Sequence, residues 1–351
     1  MLPLSFILLL FVIYDGSINK RAIRIWFLFT FFSLLIALPS FYNIYPHKNN
    51  FGYTFDSYFF GILFKSTCTV CVLLSFKGDK KRMLQLINIL LIINVSFFFV
   101  QFFTVYLTSY YIDPLYFFTG ERQRYFSNFS LPILGVIYRP TGLYEEPSTY
   151  SAFILLLIAS KIYLDKSIDV LLKVSLGSII LSFSVASIIY GMLFAFLLFL
   201  KSKGTYLKHI LSVFLPVIVV FVIYIALSRV NSVDSATSLR NNLFIYFFEQ
   251  SKLEVLFGNG MLGIIPSLSD YMSSGNLWGA GVAALNDNGL WLFLAIKIGL
   301  LGLILAVFLF FKNKKNTINR VIFILILMTK ISFMYFGFIF YLFLILYYKE
   351  D

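Results

Sequence analysis

The stretch Arg139-Pro-Thr-Gly142-Leu-Tyr-Glu145-Glu146-Pro147-Ser148 crowds a guanidinium, two adjacent carboxylates and a helix-starting proline together, directly ahead of the apolar run Phe153–Leu164. Charge kept at the mouth of a hydrophobic helix is costly, so such groups have a partner or a task. A carboxylate within reach of a hydroxyl can take its proton. An arginine holds phosphate through a flat two-pronged fork that lysine lacks. The competing reading is local: acids ahead of Pro147 favour the first turn of the helix through its dipole. Glu146, or Glu145 beside it, is the candidate general base, with Glu146 preferred. Glu145 reads first as a helix-starting acid and second as a substrate-binding group.

Arginine also marks the other polar stretches. Residues 108–146 hold Arg122, Arg124 and Arg139, and residues 228–283 hold Arg229 and Arg240 beside a single Lys252. A site for pyrophosphate at a membrane surface calls for such forks, although for Arg122 and Arg124 loop solvation or lipid headgroup contact is the first reading. Lys297 stands in the middle of an apolar run, where an ionisable group is a functional-site hypothesis by default, against the plainer reading of a lysine paired with groups near Asp287 or with water. Lys65 and Lys330 fit snorkelling or a helix break. Gly258-x-Gly260-x-x-Gly263 matches a dinucleotide fingerprint in letters alone, with no strand–helix unit around it, so nucleotide binding is set aside. Cys68 and Cys71 lie inside an apolar helix and read as packing residues rather than a redox pair. No Asp-x-Asp or His/Asp cluster stands in the polar stretches, so no metal and no cofactor is expected.

The elements that must position these residues follow from hydropathy. Of 351 residues, 60% are hydrophobic and 13% charged. Long apolar runs recur, which excludes a soluble domain, and they are continuous rather than alternating, which excludes a β-barrel. The expectation is an all-α polytopic integral membrane protein over residues 1–351 as a single transmembrane domain, with about 11 transmembrane helices. Leu2–Tyr14 is short for a span. Ala22–Tyr42, Ser57–Phe76, Met83–Leu107 and Pro147–Leu164 are clear helices. The run 170–200 is too long for one helix and divides near Ser182 and Ser184 into Val170–Ser184 and Val185–Leu200. Ile210–Leu227 and Leu285–Phe311 follow, and Ile318–Tyr348 divides at Lys330 and Ser332. The net charge of +12 is explained by the positive-inside rule, not by nucleic acid. Most basic residues fall in alternate loops, which places the N-terminus outside and the two long loops, 108–146 and 228–283, on the extracytoplasmic face.

The residues quoted above carry a resemblance. Arg139-x-x-Gly142-x-x-x-Glu146-Pro147-Ser148 resembles the signature of Wzy-type O-antigen and capsular polysaccharide repeat-unit polymerases, in the O-antigen polymerase/ligase superfamily. The order of parts matches over roughly residues 60–311: a helix, a serine-marked apolar stretch, a large loop with Ser238-Leu-Arg240 and Gly258-Asn-Gly260, then Asn286-Asp-Asn288-Gly ahead of a late helix. Related ligases carry a histidine near that last element, and this chain has none there. The resemblance implies a GT-C-like membrane glycosyltransferase architecture in the bacterial cytoplasmic membrane, its active site facing the periplasm or exterior. It implies a metal-independent enzyme that polymerises undecaprenyl-pyrophosphate-linked oligosaccharide repeat units, with a flippase and a chain-length regulator as partners beside membrane lipid. Glu146, Arg139 and Arg240 are then the catalytic set, the two arginines converging on one cavity. Gly142, Glu145, Ser148, Arg122, Arg124, Asn286, Asn288 and Lys297 are the substrate-binding set. The alternatives are an O-antigen ligase acting on another acceptor and, in a different class, a polytopic flippase or transporter. The concentration of polar residues in two loops favours an enzyme over a flippase.

Overall fold

The computed structural model describes residues 19–38, 40, 54–124, 126–131, 135–165, 167–201, 244–262, 288–312 and 316–348. These residues form α1 (Lys20–Leu35), α2 (Phe55–Ser75), α3 (Lys80–Thr108), α4 (Pro114–Thr119), β1 (Phe126–Leu131), β2 (Gly135–Tyr138), α5 (Pro147–Leu164), α6 (Val170–Leu181), α7 (Val185–Lys201), α8 (Lys252–Phe257), α9 (Leu290–Lys312), α10 (Thr317–Met328) and α11 (Phe336–Tyr347). Among the described residues four stretches are long and apolar enough to cross a membrane: α2, α3, α5 and Leu290–Phe308 of α9. The protein is therefore a helical membrane protein. Leu2–Tyr14 and Ile210–Leu227 lie outside the described residues.

Two divisions expected from charge and serine content are present. The long run 170–200 breaks between α6 and α7, where Ser182 Oγ donates to the Ile179 carbonyl at 2.7 Å and so occupies a helix-end acceptor. Phe183 takes a positive φ of 51° in that turn. The run 318–348 likewise breaks between α10 and α11. Three expectations are corrected. The first clear helix ends at Leu35 instead of Tyr42. The stretch 108–146, expected as a long loop, contains α4 and a short antiparallel hairpin, β1 paired with β2. The span expected at Leu285–Phe311 starts at Leu290 and is interrupted at Gly299, whose φ of 72° and ψ of 167° are not helical.

The chain forms two compact units. The first comprises Met1–Met83, Val233–Arg320 and Lys330–Asp351. In it α1, α2 and α11 pack on one another, and α8 packs on α9. Hydrocarbon offers helices no hydrophobic reason to associate, so shape and polar contacts decide the packing. Tyr58 donates from its hydroxyl to the Ser33 carbonyl at 2.9 Å, joining α2 to α1. Phe29 meets Phe343 edge-on at 5.1 Å, joining α1 to α11. Lys65 donates to the Met334 carbonyl at 2.6 Å, inside the non-helical segment before α11. A carbonyl without a donor in hydrocarbon costs several kcal/mol, and the lysine on α2 supplies one of the donors that the break requires.

The second unit comprises Leu84–Ser232 and Val321–Thr329. Its centre is α5, which is buried along nearly its whole length and sets the small residues Ser151, Ala152, Ala159 and Ser160 against its neighbours. Tyr150 of α5 stacks on Phe98 of α3 at 4.8 Å, and its hydroxyl lies 2.6 Å from Ser178 Oγ on α6. Lys161 of α5 is only 1% exposed and donates to Asn88 Oδ1 of α3 at 2.6 Å and to Asp169 Oδ2 at 2.5 Å. Asp169 also caps α6, accepting the Leu172 amide at 2.9 Å, so one ammonium ties three helices.

Candidate functional site

The site is the segment leading into α5, and its position begins with two amides on α3. Asn94 and Gln101 stand seven residues apart, two helical turns, and so share a face. Both are buried. Gln101 Oε1 accepts the amides of Thr141 at 2.7 Å and Gly142 at 2.9 Å. Gln101 Nε2 lies 2.7 Å from Gln123 Oε1, 2.8 Å from the Ile112 carbonyl and 2.9 Å from the Tyr111 hydroxyl. Gln123 completes the clamp: its Nε2 donates to the carbonyls of Gly142 at 2.6 Å and Tyr144 at 3.0 Å. The backbone of Gln123 is itself fixed, because its amide donates to Asp113 Oδ2 at 3.0 Å. Asp113 also caps α4 through the Tyr116 amide. Asn94 adds a third support, accepting the Tyr144 hydroxyl at 2.9 Å.

Gly142 sits between the two glutamines with φ of +59°. That left-handed backbone favours glycine, because a Cβ there costs roughly 1–2 kcal/mol. A Cβ would also touch the Tyr150 ring at 3.4 Å. The turn leads to Glu145 and Glu146. Glu146 is the N-cap of α5 with extended backbone, but its side chain makes no cap hydrogen bond, and Pro147 occupies the first turn. The carboxylate therefore accepts no hydrogen bond from the amides of the first turn.

Arg124 receives it instead. Arg124 Nη1 lies 2.9 Å from Glu146 Oε1, and Arg124 Nη2 lies 2.9 Å from Glu145 Oε1. The Arg124 amide donates to the Glu145 carbonyl at 2.7 Å. Ser148 Oγ donates to Glu146 Oε2 at 3.1 Å, so both oxygens of that carboxylate are engaged. The side chain of Arg124 is 67% exposed, that of Glu145 46% and that of Glu146 19%. Arg139 is half-buried at the head of the same segment.

Of the residues singled out from sequence, Arg124, Gly142, Glu145, Glu146 and Ser148 are brought together. Arg122 is not: its guanidinium lies over the Tyr116 ring at 5.9 Å, on the exposed surface of α4. Asn288 and Lys297 belong to the first unit, Asn288 just ahead of α9 and Lys297 within it, 3% exposed. Arg240 and Asn286 lie outside the described residues, and with Arg240 the expected convergence with Arg139. Gln101, Gln123 and Asn94 are the positioning groups that sequence reading missed, although the seven-residue spacing of two amides in an apolar helix was a signal. Among the described residues no three His, Cys, Asp or Glu side chains group as metal ligands.

No protein-family model, curated protein or solved structure matches the chain. The class that the fold and the cluster define is a helical membrane protein with a guanidinium–carboxylate cluster held at the N-terminal end of a buried helix.

Proposed function

We propose that the chain is a metal-independent membrane glycosyltransferase of the bacterial cytoplasmic membrane. It polymerises undecaprenyl-pyrophosphate-linked oligosaccharide repeat units into O-antigen, capsular or exopolysaccharide. The full reading has about 11 spans, a GT-C-like architecture and both long loops facing the periplasm or exterior. The observation that carries it is the placement of Glu146: a carboxylate at the N-cap of a buried helix that does not cap it, held 2.9 Å from a guanidinium fork.

In this reading the acceptor sugar hydroxyl attacks the anomeric carbon of the donor sugar. The bond from that carbon to the pyrophosphate oxygen breaks, and its electron pair leaves with the diphosphate. The hydroxyl proton passes to the Glu146 carboxylate, a general-base role typically worth about 10²- to 10⁴-fold. Arg139 and Arg240 face the charge that develops on the leaving diphosphate, and removing one such donor typically costs about 10²- to 10³-fold in rate. Gln101 and Gln123 hold the segment on which Glu146 and Arg139 stand.

The test is polymer length in cells lacking the native copy, with the membrane level of each variant measured. Arg139→Lys and Arg240→Lys keep the charge and lose the fork, and should fail nearly as badly as alanine. Glu146→Gln keeps the shape and loses the base. Polymer of wild-type length from all three variants would remove the mechanism.

A further inference from the structure

The contacts around Arg124 fall into two sets of different permanence. The backbone set is buried and amide-based. Gln101 grips Thr141 and Gly142, and Gln123 grips Gly142 and Tyr144. The side-chain set is ionic and wet: the guanidinium of Arg124 reaches two carboxylates, and that arginine is 67% exposed. Exposed ion pairs add little to an equilibrium, less than about tenfold each, because water and salt compete for both partners. The side chain can therefore change partners while the segment beneath it stays in place.

The two carboxylates occupy the fork as paired anionic oxygens. A diphosphate presents the same chemistry with more charge, and guanidinium–phosphate pairs form two parallel charge-assisted bonds. Resting on the polymerase reading above, we propose that Arg124 is an exchange site: its guanidinium passes from Glu145 and Glu146 to the diphosphate of the donor, and this releases the Glu146 carboxylate toward the acceptor hydroxyl. A carboxylate with one cation fewer beside it holds a proton more readily, so the base becomes stronger when the donor is seated. No covalent bond changes in the exchange. An ion pair between protein groups is replaced by one between protein and ligand.

The exchange makes an unusual binding prediction, because the carboxylates compete with the ligand. The purified full chain in detergent is titrated with inorganic pyrophosphate by calorimetry, as wild type, Arg124→Gln, Arg124→Lys and the double variant Glu145→Gln with Glu146→Gln. Neutralising the carboxylates should tighten pyrophosphate binding by about tenfold or more, from one exposed pair and one whose carboxylate is largely shielded, while polymer formation falls. Arg124→Gln should weaken binding by about tenfold or more, and Arg124→Lys should restore only part of it. Thermal midpoints check that each variant is folded. A parallel arm uses a prenyl pyrophosphate in the same detergent: tighter binding than inorganic pyrophosphate, with the same order of variants, assigns the site to a lipid headgroup. Equal affinity assigns it to free diphosphate. The exchange is overturned if the double variant binds no tighter than wild type, or if Arg124→Gln binds equally well. This order of affinities across wild type and variants, with no polymer made by the wild-type chain, keeps the exchange site and removes the polymerase reading instead.

Discussion

Gln101 Nε2 and Gln123 Oε1 lie 2.7 Å apart, one on a long apolar helix and the other in the linker that follows it. Their amides link into a pair whose outer ends both close on the backbone of residues 141–144. The glutamine at 101 is thus a template for the turn that presents Glu145 and Glu146.

Gln101→Leu removes the acceptor of two buried amides, those of Thr141 and Gly142. Each stranded group costs about 1–3 kcal/mol. The expected outcome is a clear fall in thermal midpoint in detergent, together with faster proteolysis of the segment before α5. A melting curve coincident with wild type would show that the segment is held by other contacts.

Gly299 interrupts α9 beside α8. The Asn259 amide donates to the Ile296 carbonyl at 3.0 Å and the Gly260 amide to the Lys297 carbonyl at 2.8 Å, so the carbonyls released by the break find donors on the turn after α8. A Cβ on Gly299 would collide with the Leu256 carbonyl, and one on Gly258 with the Gly299 amide. Backbone on both sides leaves no room to adjust. Gly299→Ala and Gly258→Ala should each reduce the level of folded protein in membranes severely, measured by size-exclusion chromatography of a fluorescent fusion. Gly177→Ala, at a helical position with nothing within 4 Å, serves as the control and should be neutral.

Lys161 and Asp169 give a pH dependence. Burial raises the Asp169 carboxyl, but the hydrogen bond from Lys161 and the capping bond from Leu172 outweigh it, and the net displacement is downward from the ordinary value. A group whose folded pKa is depressed contributes stability above its unfolded pKa, near 3.9 for aspartate, and loses it as pH falls through the folded value. Wild-type thermal midpoint should therefore decline below about pH 4. Lys161→Met removes the ammonium, so it should lower the midpoint at neutral pH and flatten the acid limb. A variant with the same slope as wild type between pH 5 and 3 would show that other carboxylates control it.

Topology is checked by labelling. In a chain lacking Cys68 and Cys71, single cysteines at Ser127 and Ser274 should react with an impermeant thiol reagent in cells with a permeabilised outer membrane. Reaction only after lysis of the inner membrane would invert the proposed orientation and place the Glu146 cluster on the cytoplasmic side.

The helices were legible because hydrocarbon is an unforgiving solvent. Runs of apolar residues must become helices to satisfy their own amides, and the breaks near Ser182 and before Ser332 were visible as polar residues in runs too long for one span. The start of α5 at Pro147 was legible from proline chemistry alone. The concentration of charge between Arg139 and Ser148, directly ahead of an apolar helix, was legible too.

What the amino-acid sequence determined by itself is thus the class, most of the helix ends and the chemical identity of one cluster. Only the tertiary structure decided how that cluster is held and that Arg124 joins it. Arg124 is more than 20 positions from Glu146 in the chain, and Gln101 is 40 from Thr141. Pairings across such distances depend on which residues a hairpin and a helix face bring together, and local spacing carries no record of that. The break in α9 is the same case: a glycine in an apolar run is ordinary in sequence, and its φ of 72° is specified by the turn at Asn259 and Gly260, whose amides take the carbonyls that an unbroken helix would have kept for itself.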